Sequence, residues 1–196
     1  MKIVLASGNK GKLKELEHIL APMGYEIQAQ SELDVPDAEE TGLTFVENAI
    51  IKARNACEHT GLAAISDDSG IEVDALQGAP GIYSARFAGP GASDAENNKR
   101  LMSELQALGQ GPFTARYQCV IVYMRHASDP TPIICQGSWE GEIQFAPAGD
   151  NGFGYDPHFY IPAKKCTAAQ LTDDIKHALS HRGKALHQLI TALNNK

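Results

Sequence analysis

The stretch KIVLASGNKGK, residues 2–12, runs from a short apolar segment into a loop of glycine, amide and lysine residues, and an amphipathic helix follows it. Leu13, Leu16, Ile19 and Leu20 recur at helical spacing and mark the buried face of that helix. The loop therefore lies at the carboxyl end of a first strand, with the N-terminus of a helix pointing at whatever it holds. Unpaired N–H groups and the positive end of the helix dipole both favour an anion there. Gly8 and Gly11 suit close backbone approach or positive φ, while Lys10 and Lys12 supply charge. A plain strand-to-helix turn with solvated lysines explains the same residues, and this stretch alone leaves both readings open. It is not a Walker A loop. That motif needs four residues between its glycine and its Gly-Lys pair, then Ser or Thr; here two residues separate Gly8 from Gly11, and Leu13 follows Lys12.

Working outward, 196 residues suffice for one domain with a substantial core, or for two lobes around a cleft. A hydrophobic fraction of 43% without repeats or low-complexity tracts places the chain among ordinary soluble proteins. The net charge of −7 argues against a duplex-binding surface, which relies on excess Lys and Arg, yet is compatible with a single nucleotide. The opening MKIVLASGN has too short an apolar run for a secretory signal, and no stretch approaches membrane-spanning length. Cys57, Cys119, Cys135 and Cys166 are scattered, suggesting neither a zinc site nor a disulfide framework; a reducing cytoplasm is the expected compartment.

Residues 36–42, PDAEETG, read as an acidic loop, and residues 44–59 as a helix burying Phe45, Ala49, Ala53 and Cys57, with Thr44 and Glu47 spaced as a capping box. Asn48, Lys52 and Asn55 share another face, a polar row able to reach a common ligand. Residues 62–66 read as a second buried strand, implying parallel β-α-β units, and DDSG at 67–70 as a loop at the same ligand-binding rim as the opening one. The Gly- and Pro-rich residues 78–91 mark a long loop or lobe boundary. A helix is expected over 93–108. Strands over 115–125 and 131–139 form a hairpin, a further strand lies near 142–145, and one last helix covers 173–193.

Asp67 and Asp68 are like charges side by side at the end of a buried strand, where each raises the other's pKa and calls for a cation or a chemical task. Glu39 and Glu40, in the preceding loop, are either solvated or further hard ligands for Mg²⁺, which takes one or two carboxylates plus water and phosphate oxygens. Phe153, Gly154, Tyr155 and Asp156 form an aromatic loop that either stacks a base or packs as a turn. Ser180, His181, Arg182, Gly183 and Lys184 interrupt the apolar stripe of the last helix, with Lys176 one turn earlier. His181 and Arg182 can bind a base edge or a phosphate, or form a solvated face, and Gly183 marks a packing need or a break. Together these features describe a purine nucleotide with Mg²⁺.

The same blocks carry a resemblance. SGNKGK at 7–12, EETGLTFVENAIIKA at 39–53, DDSG at 67–70, GAPGIYSARFAG at 78–89, GFGYDPHF at 152–159 and SHRGKAL at 180–186 are similar, in order, to the inosine triphosphate pyrophosphatase family, and within it to the bacterial enzymes acting on dITP and XTP. One departure precedes the last block. The family usually carries an acidic residue, Lys and Asn where this chain has Ile175, Lys176 and His177, which puts the ion-pairing neighbourhood of Lys176 in question.

The resemblance implies a mixed α/β sheet with helices on both sides, one domain of two lobes around a long cleft, in a homodimer. It implies that Ser7, Gly8, Asn9, Lys10, Gly11, Lys12 and Lys52 hold a triphosphate and that Asp68 is the general base. Asp68 and Glu40 would serve Mg²⁺, with Glu39 as an alternative to Glu40. Ser69 would touch the nucleotide, while Phe153, Gly154, Tyr155, Asp156, Lys176, His181 and Arg182 surround base and sugar. The implied reaction is attack of water on the α-phosphorus with release of pyrophosphate. Base choice then depends on the 6-oxo group of hypoxanthine and xanthine, since the adenine amino group would set donor against donor. Two rival readings are a related enzyme for modified pyrimidine or methylated nucleotides, against which SHRGKAL and GFGYDPHF speak, and a nucleotide sensor without chemistry, against which Asp67 and Asp68 speak.

Overall fold

A computed structural model describes residues 1–195, the side chain of Lys10 excepted. The opening stretch forms β1 (Lys2–Leu5), buried at Ile3, Val4 and Leu5, and α1 (Lys10–Leu20), which buries Leu16 and Leu20. A strand the sequence pattern did not reveal, β2 (Glu26–Ala29), pairs in parallel with β1; only four residues long, it has too little alternation to stand out. Helix α2 (Phe45–Thr60) begins at the N-cap Thr44 and ends on Gly61 in the left-handed region. The expected capping box is varied. Thr44 accepts the Glu47 N–H, while the Glu47 carboxylate reaches one residue further back, to the Leu43 N–H, as well as to the Thr44 hydroxyl.

The most consequential correction concerns DDSG. Strand β3 (Ala63–Val73) does not stop at Ser66 but runs straight through these residues, so Asp67 and Asp68 sit in mid-strand rather than in a loop. Strand geometry then sends them to opposite faces of the sheet. Ala64, Ser66 and Asp68 face α2: Ala64 shares an apolar cluster with Ala49 and Ala53, and the Ser66 hydroxyl donates to the Ala49 carbonyl at 2.5 Å.

Helix α3 (Asp94–Gln106) has a complete capping box between Ser93 and Glu96. β4 (Phe113–Met124) and β5 (Ile133–Ile143) follow, and the end of β5 absorbs the first half of the separate strand expected near 142–145. β6 (Phe159–Ile161) and β7 (Cys166–Thr167) complete a seven-stranded sheet of order β2-β1-β3-β4-β5-β6-β7. It is mixed: β1 is parallel to both neighbours, whereas β6 is antiparallel to β5 and β7. The last helical region is two helices, α4 (Asp173–Leu179) and α5 (His181–Asn194).

The chain divides into two compact units. The first comprises Met1–Asp68, Val120–Gln136 and the residues from Ala185 onward; its core joins Val4, Ala49, Ala53 and Ala56 to Ala64, Val120 and Val122. The second comprises Ser69–Cys119 and Gly137–Lys184, around Ile71, Leu101, Leu105, Tyr117, Trp139 and Phe159. None of the four cysteines is in a disulfide. Among the described residues no helix is long and apolar enough to cross a membrane.

In the second unit Asp74, just past β3, accepts bonds from Arg116 at 2.7 and 3.0 Å and from the Thr114 hydroxyl at 2.7 Å. The Arg116 bonds, then the Thr114 one, lower its carboxyl from 3.8 to about 2. A carboxyl depressed on folding contributes stability that is complete above its unfolded value and lost as pH falls through the folded one. Asp74→Asn should therefore flatten the loss of stability between about pH 4 and pH 2, read as urea midpoints against pH.

Candidate active site

Asn9 organises the opening loop. As N-cap of α1 its carboxamide oxygen accepts the N–H groups of Gly11 at 2.8 Å and Lys12 at 3.2 Å, and the Ser7 hydroxyl accepts the Asn9 N–H at 3.2 Å. Gly8 and Gly11 do not take positive φ, so their freedom is not used for that purpose here. The loop is held by its own side chains, and an anion on those amides would replace contacts from Ser7 and Asn9. The expected Lys10 contact falls on a side chain outside the described residues. Lys12 reaches across to β3, where its ammonium meets Asp67 Oδ1 at 2.7 Å.

The polar row on α2 has a common target, and it is the acidic loop. Asn48 Oδ1 accepts the Gly42 N–H at 2.9 Å, Lys52 donates to Glu40 Oε1 at 2.9 Å, and Asn55 donates to the Pro36 carbonyl at 2.8 Å. Lys52 also donates to Asp68 Oδ1 at 2.9 Å, so Glu40 and Asp68 share one ammonium. Each member of the aspartate pair thus has its own lysine, Asp67 with Lys12 and Asp68 with Lys52. Burial raises the Asp68 carboxyl above 3.8; Lys52 opposes that rise, while Glu40 and Asp67 reinforce it. For Lys52 burial alone would lower the ammonium, but Asp68 and Glu40 together raise it. Ser69 follows, half-buried.

These carboxylates suit a hard divalent cation. Asp68 Oδ2 is buried without a hydrogen-bond partner, and Glu40 converges with Asp68 on one point. Among the described residues no three His, Cys, Asp or Glu side chains come together as a metal cage. That leaves a two-carboxylate donor set, the kind Mg²⁺ uses when substrate phosphates supply the other oxygens.

A second constellation lies in the second unit, around Asp156, which is 2% exposed. Its Oδ2 accepts the Phe153 N–H at 2.8 Å and the Lys176 ammonium at 2.5 Å, and its Oδ1 accepts the Tyr117 hydroxyl at 3.1 Å. Lys176, whose ion-pairing neighbourhood was in question, therefore pairs from α4 to this turn. Its ammonium also lies 4.7 Å from the centre of the Phe153 ring, which is 66% exposed. Gly152, at φ +79°, leaves room for Asp156: a Cβ there would fall 2.2 Å from Oδ2. The Gly154 N–H donates to Asp94 and its carbonyl accepts from Asn98. Tyr155 turns inward, its hydroxyl donating to the Ser84 carbonyl at 2.7 Å, so Phe153 alone offers an exposed aromatic face in this loop.

The expected single helix over 173–193 breaks at Ser180, whose extended backbone ends α4 and whose hydroxyl accepts the Gly183 N–H. Gly183 is needed there, because a Cβ on it would stand 1.7 Å from the His177 carbonyl oxygen. The break sets His181 and Arg182 on the first turn of α5. The His181 ring stacks on Tyr117 with centroids 4.8 Å apart and an angle of 11°. Tyr117 is the residue the sequence reading missed. It is one of the buried positions that alternate with Arg116 and Gln118 in β4, and only the tertiary fold joins it to Asp156 and His181.

The Ham1 family model matches residues 3–192. A Shewanella oneidensis protein named dITP/XTP pyrophosphatase is 60% identical over 195 residues, covering 100% of this chain and 95% of that protein. A Yersinia pseudotuberculosis protein of the same name is 58% identical, covering 99% and 98%. Among solved structures, a HAM1 protein from Coxiella burnetii superposes with a TM-score of 0.97 at 50% identity, covering all of both chains. The Staphylococcus aureus Ham1 protein superposes with a TM-score of 0.92 at 40% identity, covering 100% of this chain and 99% of that one. The chain belongs to the Ham1 family.

Proposed function

We propose that this chain hydrolyses non-standard purine nucleoside triphosphates, ITP, dITP and XTP, to the monophosphate and pyrophosphate, clearing them from the cytoplasmic nucleotide pool. The observation that carries the reading is Asp68: a half-buried carboxylate with one oxygen on Lys52, the other buried without a hydrogen-bond partner, and a proton affinity raised by burial. The names of the similar proteins support the substrate class.

In this reading Asp68 orients a water molecule and takes its proton as the oxygen bonds to the α-phosphorus. The bond from that phosphorus to the bridging oxygen breaks, and pyrophosphate leaves with the electron pair. Lys12 and Lys52, with Ser7, Gly8, Asn9, Lys10 and Gly11, bind the triphosphate and offset its charge. Asp68 and Glu40 would hold Mg²⁺, which when bound neutralises charge on the phosphate oxygens. Ser69 touches the nucleotide. Phe153 gives the base an apolar face, with Gly154, Tyr155, Asp156, Lys176, His181 and Arg182 around base and sugar. A homodimer, implied by the family resemblance, belongs to the same reading.

Incubation of ITP, XTP, dITP, GTP and ATP with Mg²⁺ tests it. Monophosphate and pyrophosphate should appear from the first three and far more slowly from GTP and ATP; orthophosphate alone would overturn it. Lys12→Ala and Lys52→Ala should each raise the KM for ITP by about tenfold or more, as expected when a charge-assisted phosphate contact is lost. Calorimetry should show wild type binding ITP more tightly than IMP, with the gap narrowed in both variants.

A further inference from the structure

We propose that Tyr117 is a positioning residue for the base end of the site, acting through Asp156 and His181; this rests on the function proposed above. The ring and the hydroxyl of Tyr117 have separate explanations. The ring fills the core of the second unit, its centroid 4.7 Å from Phe159 and 6.4 Å from Trp139. Phenylalanine would serve that packing equally well. A buried hydroxyl is costly unless it is hydrogen-bonded, and this one, on a side chain 8% exposed, has Asp156 Oδ1 as its acceptor at 3.1 Å. Burial, with the Asp156 charge beside it, keeps the phenol protonated and therefore a donor.

Asp156 passes that bond on. Its carboxylate gathers donors from β4, from its own turn and from α4: the Tyr117 hydroxyl, the Phe153 N–H and the Lys176 ammonium. These bonds fix the turn that presents Phe153, and Lys176 lies over the Phe153 ring. The His181 ring lies nearly parallel to that of Tyr117 at 4.8 Å, so the same side chain sets its plane. One residue in β4 thus orients the aromatic loop through its hydroxyl and the first residue of α5 through its ring. Without the hydroxyl, Asp156 keeps two donors and is free to rotate about them, and the Phe153 turn loses its fixed anchor.

The test compares wild type with Tyr117→Phe, which keeps the ring and removes the hydroxyl. The KM for ITP should rise about tenfold while kcat stays within about twofold, because base contacts formed equally in ground and transition states alter binding alone. The inhibition constant of inorganic tripolyphosphate, which reports the phosphate end without a base, should stay within about twofold of wild type. In an Asp156→Asn background the same substitution should change KM by less than about twofold, since the bond it removes is already altered. The proposal is overturned by an unchanged KM, by effects of the two substitutions that simply multiply, or by a tripolyphosphate constant that rises in step with KM. Failure of wild type to hydrolyse ITP would overturn the functional reading, and this proposal with it, before any variant is compared.

Discussion

Asp68→Asn should lower kcat for ITP by about a thousandfold, within the span expected when a general base is removed, while ITP binding measured by calorimetry changes little. The substitution keeps size and planarity; it removes the capacity to accept a proton from water, together with the Asp68 charge beside Lys52 and the proposed Mg²⁺, where Glu40 remains. What makes it selective is the site's division of labour. Lys12 is paired with Asp67 and is untouched, and Lys52 retains Glu40 at 2.9 Å, so the cations read as triphosphate ligands stay ordered. A second variant separates chemistry from charge: Asp67→Asn, on the opposite face of β3, should mainly release Lys12 and raise KM. Near-normal turnover by Asp68→Asn would contradict the base assignment. Equal effects of the two substitutions on kcat would show that overall negative charge, rather than Asp68 itself, is what matters.

The second large effect is structural in origin. Gly183→Ala places a methyl group 1.7 Å from the His177 carbonyl oxygen, a backbone atom that cannot rotate away. Either α4 and α5 separate or the first turn of α5 unwinds, and His181 and Arg182 move in both cases. Overpacking of this kind costs typically 1–3 kcal/mol, and backbone contacts fall at the upper end. The expected result is a lower urea midpoint together with a KM for ITP raised by at least about tenfold. A wild-type midpoint and KM would show that the junction between the helices is looser than its geometry. Alanine is ordinarily favoured over glycine within a helix by up to about 1 kcal/mol, so destabilisation here would come from the contact with His177 and not from helix propensity.

The opening strand, loop and helix were legible because each element is local: apolar residues at strand and helix periods on either side of a loop rich in glycine and lysine. The polar row Asn48, Lys52 and Asn55 was legible as a row, but its target was not, since Pro36, Glu40 and Gly42 carry no periodic signal. DDSG was misplaced for a physical reason. Adjacent aspartates and a glycine are poor strand formers in isolation, and the lysines of α1 and α2, reaching Asp67 and Asp68 from different elements, help make mid-strand carboxylates tolerable. β2 escaped notice through brevity. The last helix read as continuous because the apolar stripe left at Leu179 resumes at Leu186, and Gly183, read as a packing need or a break, was the residue that announced the junction. Tyr117 was invisible for the opposite reason: it obeys the pattern of a buried strand, and its hydroxyl acquires meaning only when residues 156 and 181 are brought beside it.

Attack of water on the α-phosphorus, the step assigned to Asp68, is tested by hydrolysing ITP in ¹⁸O-labelled water and locating the label by mass spectrometry. One labelled oxygen is expected in IMP and none in pyrophosphate. Label in pyrophosphate, with unlabelled IMP, would place the attack on the β-phosphorus and contradict it.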